Sequence, residues 1–137
     1  VHNSYKSPDS VNAIDWTLKK ANADQFEYYR NLIRLRRSHP AFRMTTAEDI
    51  ARNIVFDKVT APNVVSYSIR NNANGDSWKE IKLVFNGSES PYTAKIPSGD
   101  WTVIARDGRL DPDGMGTVKG GKISVEPMSA LILAREK

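Results

Sequence analysis

The chain of 137 residues has 39% hydrophobic and 26% charged residues and a mean hydropathy of −0.52, which suits one folded domain with a single core and excludes a disordered segment. No apolar run approaches the roughly 20 residues needed to cross a bilayer, and the absence of cysteine excludes disulfides, thiolate metal sites and a cysteine nucleophile. The net charge of +4 sits wholly in residues 1–43, with eight Lys/Arg against four Asp/Glu, while residues 44–137 carry twelve of each; no basic stripe interleaved with aromatics points to nucleic acid.

Residues 1–21 read as an irregular loop that turns at Ser7-Pro8-Asp9-Ser10. Within it, Asn3 to Trp16 gathers two carboxylates (Asp9, Asp15), two amides (Asn3, Asn12), Tyr5 and Trp16, with little apolar spacing. That mix suits a hydroxyl-rich ligand, because carboxylates and amides bond hydroxyls and aromatic rings cover the flat faces of sugars. With no starting Met and no preceding element, the chain is expected to be a segment of a larger protein. A helix follows over residues 23–38. Asn22 is placed to cap it with Gln25 three residues on; Phe26, Tyr29, Leu32 and Ile33 recur at three- and four-residue spacing, and Pro40 ends it. The apolar face of a lone helix must be buried on the rest of the chain or on neighbours outside it.

From Ala51 the period becomes two. Strand runs are expected at residues 54–58, 65–69, 81–85, 92–96, 101–105, 122–125 and 130–134, with Lys82 and Val84 alternating against Ile81, Leu83 and Phe85. Turns are expected at Ala61-Pro62-Asn63, Asn74-Gly75-Asp76, Asn86-Gly87-Ser88, Pro97-Ser98-Gly99, Asp107-Gly108 and Gly120-Gly121. Short, evenly spaced strands with no helix between them predict an antiparallel β-sandwich of Greek-key type.

The residues also resemble a family. Asn3-Ser4-Tyr5, Ser7-Pro8-Asp9-Ser10-Val11-Asn12 and Ile14-Asp15-Trp16, followed by Leu32-Ile33-Arg34-Leu35-Arg36 and His39-Pro40-Ala41-Phe42-Arg43, are similar to the C-terminal part of type I pullulanases. These are bacterial debranching enzymes of the α-amylase superfamily that cleave α-1,6-glucosidic branch linkages. The resemblance implies a mainly β fold, with a loop and one α-helix left over from a (β/α) barrel. Residues 1–43 would end the catalytic barrel and residues 44–137 would form the C-terminal β-sandwich. It implies that the catalytic carboxylates lie upstream, so that this chain alone is inactive. Its partners would be the catalytic-barrel part of the same enzyme and an α-glucan, with no nucleic acid and no membrane. No cofactor is expected in this chain, calcium being open only for the parent enzyme; the parent is expected to be secreted, with an intracellular enzyme as the alternative.

Tyr5, Asp9 and Asn12 are the candidate substrate-binding residues: Tyr5 to stack on a glucose face, Asp9 and Asn12 to bond hydroxyls. The plainer alternative has Asp9 capping a turn and Asn12 tying down loop backbone. Asp15 and Trp16 are expected to anchor the loop on the barrel. Residues 107–114 hold three carboxylates near glycines but read as an ordinary turn, and neither His2 nor His39 has a metal-spaced partner. Arg30, Arg34 and Arg37 form a solvated helix face. Trp78 and Trp101 are either core or, in a stand-alone α-glucan-binding β-sandwich module, an aromatic sugar platform. Asn86-Gly87-Ser88 matches a glycosylation sequon, but Asn-Gly reads better as a hairpin turn.

Overall fold

One antiparallel sheet organises residues 54–135 of the computed structural model, which describes residues 3–136, so that His2 lies outside the described residues. Its strands are β1 (Ile54–Phe56), β2 (Val64–Ile69), β3 (Glu80–Asn86), β4 (Tyr92–Arg106), β5 (Arg109–Leu110), β6 (Thr117–Val125) and β7 (Ser129–Arg135). They run in the order β1-β2-β3-β7-β4-β5, with β6 paired to β4. All seven expected runs are present, but residues 92–96 and 101–105 belong to one strand, β4, and β5 is an addition.

β4 produces the two layers. Its first part pairs with β6, and residues 102–105 pair with β7. Between Ile96 and Asp100 the register shifts, so Pro97-Ser98-Gly99 is a bulge inside the strand and not the expected turn. A bulge leaves residues unpaired and bends its strand. The β4–β6 ribbon thereby folds over β3 and β7, enclosing Val84, Leu131 and Leu133 with Ala94, Ile96, Trp101, Val103, Ile123 and Val125. Gly120-Gly121, also expected as a turn, lies within β6. Its reason is packing: a Cβ on Gly120 would sit 1.8 Å from the Pro97 carbonyl oxygen, so only glycine lets the two backbones approach.

The other face of the sheet is covered by helices. Short helices α1 (Asp9–Asn12) and α2 (Thr17–Ala21) occupy the region expected to be irregular, and α3 (Ala23–Ser38) follows as expected. Asn22 does not cap α3; its side-chain amide donates to the Leu18 carbonyl at 2.9 Å and closes α2 instead. Tyr28, Leu32 and Leu35 of α3 pack with Ala41, Phe42 and Met44 against Ile69, Ile81, Leu83, Ile104, Leu110 and Ile132. A further helix, α4 (Ala47–Asn53), precedes β1 and is capped by Thr46, whose hydroxyl accepts from the Asp49 amide at 3.1 Å. Only the Thr46-x-x-Asp49 spacing signals it.

A buried carboxylate fastens the helix layer to the sheet. Asp76 accepts hydrogen bonds from the amides of Ala41 (3.0 Å) and Trp78 (2.9 Å), and His39 Nδ1 lies 2.9 Å from its Oδ1. The His39 ring stacks on Trp78 with centroids 3.3 Å apart. Trp101 is buried, with its ring N–H donating to the Pro97 carbonyl at 2.9 Å. With Trp101 enclosed and one face of Trp78 taken by His39, the two do not form a sugar platform.

Three outcomes are expected from substitution. Asp76→Ala, which strands two backbone amides and a histidine, destabilises the chain by roughly 3 kcal/mol in urea unfolding. Gly120→Ala costs about 2–3 kcal/mol through overpacking against Pro97. Gly108→Ala, where nothing lies within 4 Å but φ is +74°, costs only about 1 kcal/mol.

Candidate functional site

The candidate binding residues lie on the segment that leads into α3. Asn12 spends its amide nitrogen on the loop itself, donating to the carbonyls of Ser4 (2.8 Å) and Ser7 (3.1 Å). Asn3 accepts from the Tyr5 amide at 3.0 Å, and Lys6 takes a left-handed φ of 83°. These bonds give the segment its shape and present Tyr5, 79% exposed, and Asp9, in the first turn of α1, to solvent. Asn12 thus ties down loop backbone. Asp15 accepts from the Thr17 amide (2.9 Å) and hydroxyl (2.6 Å), the hydroxyl bond first and the amide bond second holding its carboxyl below the usual value.

The same segment carries an uncovered apolar surface. Trp16 is 73% exposed, and with Ile14, Leu18, Phe26 and Tyr29 it lines an open cavity of about 600 Å³. Phe26, Tyr29 and Ile33 are exposed on α3, while Tyr28, Leu32 and Leu35 face the sheet. The helix therefore has two apolar faces, one of which finds no cover among the described residues. Of the three expected surface arginines, Arg30 pairs with Glu27. Arg34 instead reaches Asp113 at 2.7 Å, and Asn31 donates to the Leu110 carbonyl at 3.0 Å, so both fasten α3 to the sheet margin.

Residues 107–114 form turns on either side of β5, and Asp111 accepts from the Asp113 amide at 3.0 Å. Among the described residues no group of three His, Cys, Asp or Glu is placed to hold a metal. Asn86 is buried with its amide donating to the carbonyls of Ser90, Val125 and Glu126, which ties the end of β3 to the following loop and to the end of β6.

Sequence reasoning missed the buried charges of β3. Lys82, expected to face outward, is 2% exposed and bonded to Asp57, which also accepts from the Ser66 hydroxyl. Burial works to raise the Asp57 pKa, but the hydrogen bonds from Lys82 and Ser66, with the charges of Lys82 and Arg70, outweigh it and hold the carboxyl below its usual range. Nearby, Glu80 is bound by Arg70 and Arg135. Period-two alternation could not find these pairs, because β3 is buried on both faces. Tyr67, half-buried between Phe56 and Phe85, has its phenol pKa raised by burial.

Residues 50–109 match the family model described as "Pullulanase, all-beta domain". The pullulanase of Bacillus subtilis is 33% identical over 98 residues, which cover 72% of this chain and 14% of that protein. Pullulanase A of Streptococcus pneumoniae is 32% identical over 88% of this chain and 10% of its own length. Among solved structures, the pullulanase from Bacillus acidopullulyticus superposes with a TM-score of 0.89 at 40% identity, covering 97% of this chain and 16% of that one. The type I pullulanase of Bacillus subtilis, complexed with maltose, gives 0.84 at 27% identity, with 98% and 19% covered. The chain thus spans less than a fifth of each of these four relatives. On those matches the chain belongs to the pullulanase family.

Proposed function

We propose that this chain is the C-terminal part of an enzyme that hydrolyses α-1,6-glucosidic branch linkages in pullulan, amylopectin and limit dextrins. Residues 1–43 end the catalytic barrel and residues 44–137 form the sandwich that shields it. The observation that carries this reading is the uncovered outer face of α3. Phe26, Tyr29 and Ile33, joined by Trp16 and Leu18, are exposed although the opposite face of the same helix is packed. Burial of apolar surface is worth about 25 cal/mol per Å², so such a face calls for a partner, and a larger chain of which this is less than a fifth supplies one. The helix then sits between barrel and sandwich as a shared wall.

The chemistry divides accordingly. A retaining glycosidase needs a nucleophilic carboxylate and an acid about 5–5.5 Å apart, and both belong to the upstream part, so this chain alone is inactive. Its own share is binding. Tyr5 offers an aromatic face to a glucose ring and Asp9 accepts from sugar hydroxyls. Asn12 fixes the loop through Ser4 and Ser7 while its side-chain oxygen faces the glucan. The fixed loop supports this assignment, because a preshaped binding loop loses little entropy when substrate arrives. One relative is a structure complexed with maltose and another with maltotriose, ligands of the class the loop would take.

Mixing the chain with the matching upstream polypeptide and measuring maltotriose released from pullulan tests the reading: activity is expected only with both parts. Asp9→Ala and Tyr5→Ala are each expected to lower kcat/KM of the assembled enzyme about tenfold. Absence of activity from a demonstrated complex would overturn the assignment. Ile33→Asp is expected to leave unfolding of the isolated chain within about 0.5 kcal/mol, yet to weaken association with the upstream part at least roughly tenfold, as gauged by titration calorimetry.

A further inference from the structure

A second concave site lies away from the N-terminal loop. The connection from β1 to β2 crosses near the start of β4, and Asp57, Thr60, Ser66, Tyr92, Thr93 and Lys95 line a cavity of about 370 Å³ between them. This lies within the roughly 300–1,000 Å³ typical of small-molecule sites. Its position follows from the two-layer fold. Lys82, which holds Asp57, projects from β3 on the same side as Val84, toward the β4–β6 ribbon. The α3 helix covers the opposite side through Ile81 and Leu83. A partner seated on α3 therefore leaves this cavity open.

The cavity is built around a fixed carboxylate. Asp57 receives hydrogen bonds from Lys82, which is 2% exposed, and from the Ser66 hydroxyl, and its backbone amide donates to the Ser66 carbonyl at 2.9 Å. Burying an ammonium is costly, and an apolar residue of similar size would give equal or better stability. A buried ammonium fixing a part-exposed carboxylate beside a cleft is the kind of arrangement found at working sites. Along residues 92–96, β4 has β6 on one edge and, among the described residues, no strand on the other, so backbone donors and acceptors there lack ladder partners.

The lining selects the ligand class. The lining carries groups of both signs, the Asp57 carboxylate held by Lys82 and the ammonium groups of Lys58 and Lys95. Sugar hydroxyls suit both, donating to Asp57 and accepting from Lys95. Thr60, Thr93 and Ser66 add hydroxyls, and half-buried Tyr92 adds aromatic surface against which a ring can lie. We propose that this cleft binds one or two glucosyl units of an α-glucan, a second glucan contact on the side of the sheet opposite α3. The choice of glucan rests on the branch-hydrolysis reading above, while the hydroxyl-binding chemistry rests on the cavity alone.

The test is electrophoresis of the 137-residue chain in native gels containing glycogen, with maltotriose titration followed by NMR. Retardation of the wild-type chain is expected, with maltotriose shifts centred on residues 57–60 and 92–95. Thr93→Arg blocks the cavity without touching the Lys82–Asp57 pair and is expected to weaken binding roughly tenfold or more, with thermal unfolding unchanged. Asp57→Asn is expected to act likewise, and Lys119→Ala, at an exposed ion pair outside the cavity lining, is expected to leave retardation intact. Unretarded wild-type chain, or maltotriose shifts at residues 57–60 and 92–95 that survive Thr93→Arg, would each overturn the inference. None of these results touches maltotriose release by the two-part enzyme. Glycogen retardation lost in Thr93→Arg, even where the two-part enzyme proves inactive on pullulan, would uphold the cleft and isolate the failure in the hydrolysis reading.

Discussion

The close approach of the Gly120 backbone to the Pro97 carbonyl is the contact on which the layered structure rests. It allows β4 to carry a bulge, turn, and continue from the β4–β6 ribbon into the main sheet. Without that turn the ribbon would have no cause to lie over β3 and β7, and Val84, Leu131 and Leu133 would lose the cover that makes them a core. The same geometry places the Trp101 ring N–H on Pro97 and brings Arg135 over the Trp101 ring, 4.4 Å from its centroid. A bulge that reads locally as a defect thus organises one whole side of the molecule.

On the other side, α3 divides its residues between two tasks. Tyr28, Leu32 and Leu35 join the sheet, and Asn31 and Arg34 lock that join through Leu110 and Asp113, each 79 residues away in sequence. The Asp76 clamp fixes the end of the helix, where His39 and Ala41 leave it. The rigidity matters because Phe26, Tyr29 and Ile33, on the outer face, are held at a fixed attitude to the sheet. In the proposed enzyme that face transmits the position of the barrel to the sandwich, and the loop of Tyr5, Asp9 and Asn12 hangs from the same rigid helix.

Much of this was legible in the sequence. Three- and four-residue spacing with Pro40 located α3, and alternation located seven strand runs. The residues of the N-terminal loop carried the family resemblance. What was not legible has physical causes. Lys82 reads as an outward residue only if its strand has a solvent face, and β3 has none. Gly120-Gly121 reads as a turn because glycine permits many conformations, yet here it is required by a backbone 23 residues earlier. Asn22 met the capping pattern, but the short α2 just before it claimed its amide. The apolar spacing of α3 could not reveal that it mixes two faces. The cleft at Asp57 unites residues from β2, β4 and a connection, with no local motif to mark it.

β7 follows every other strand in the chain yet lies between β3 and β4 in the sheet. During synthesis, β2 with β3 and β4 with β6 can each pair as they emerge, since their partners are already present or soon follow. The two ribbons remain separate bodies until residues 129–135 arrive to join them, pairing with β3 along its whole length and with β4 beyond the bulge. A premature stop before Ser129 would therefore remove the strand on which both apolar clusters depend, through Leu131 and Leu133 on one side and Ile132 and Ala134 on the other. Two ribbons with exposed apolar faces are substrates for quality control, so an incomplete translation product of this region is marked for removal by the order of its own strands.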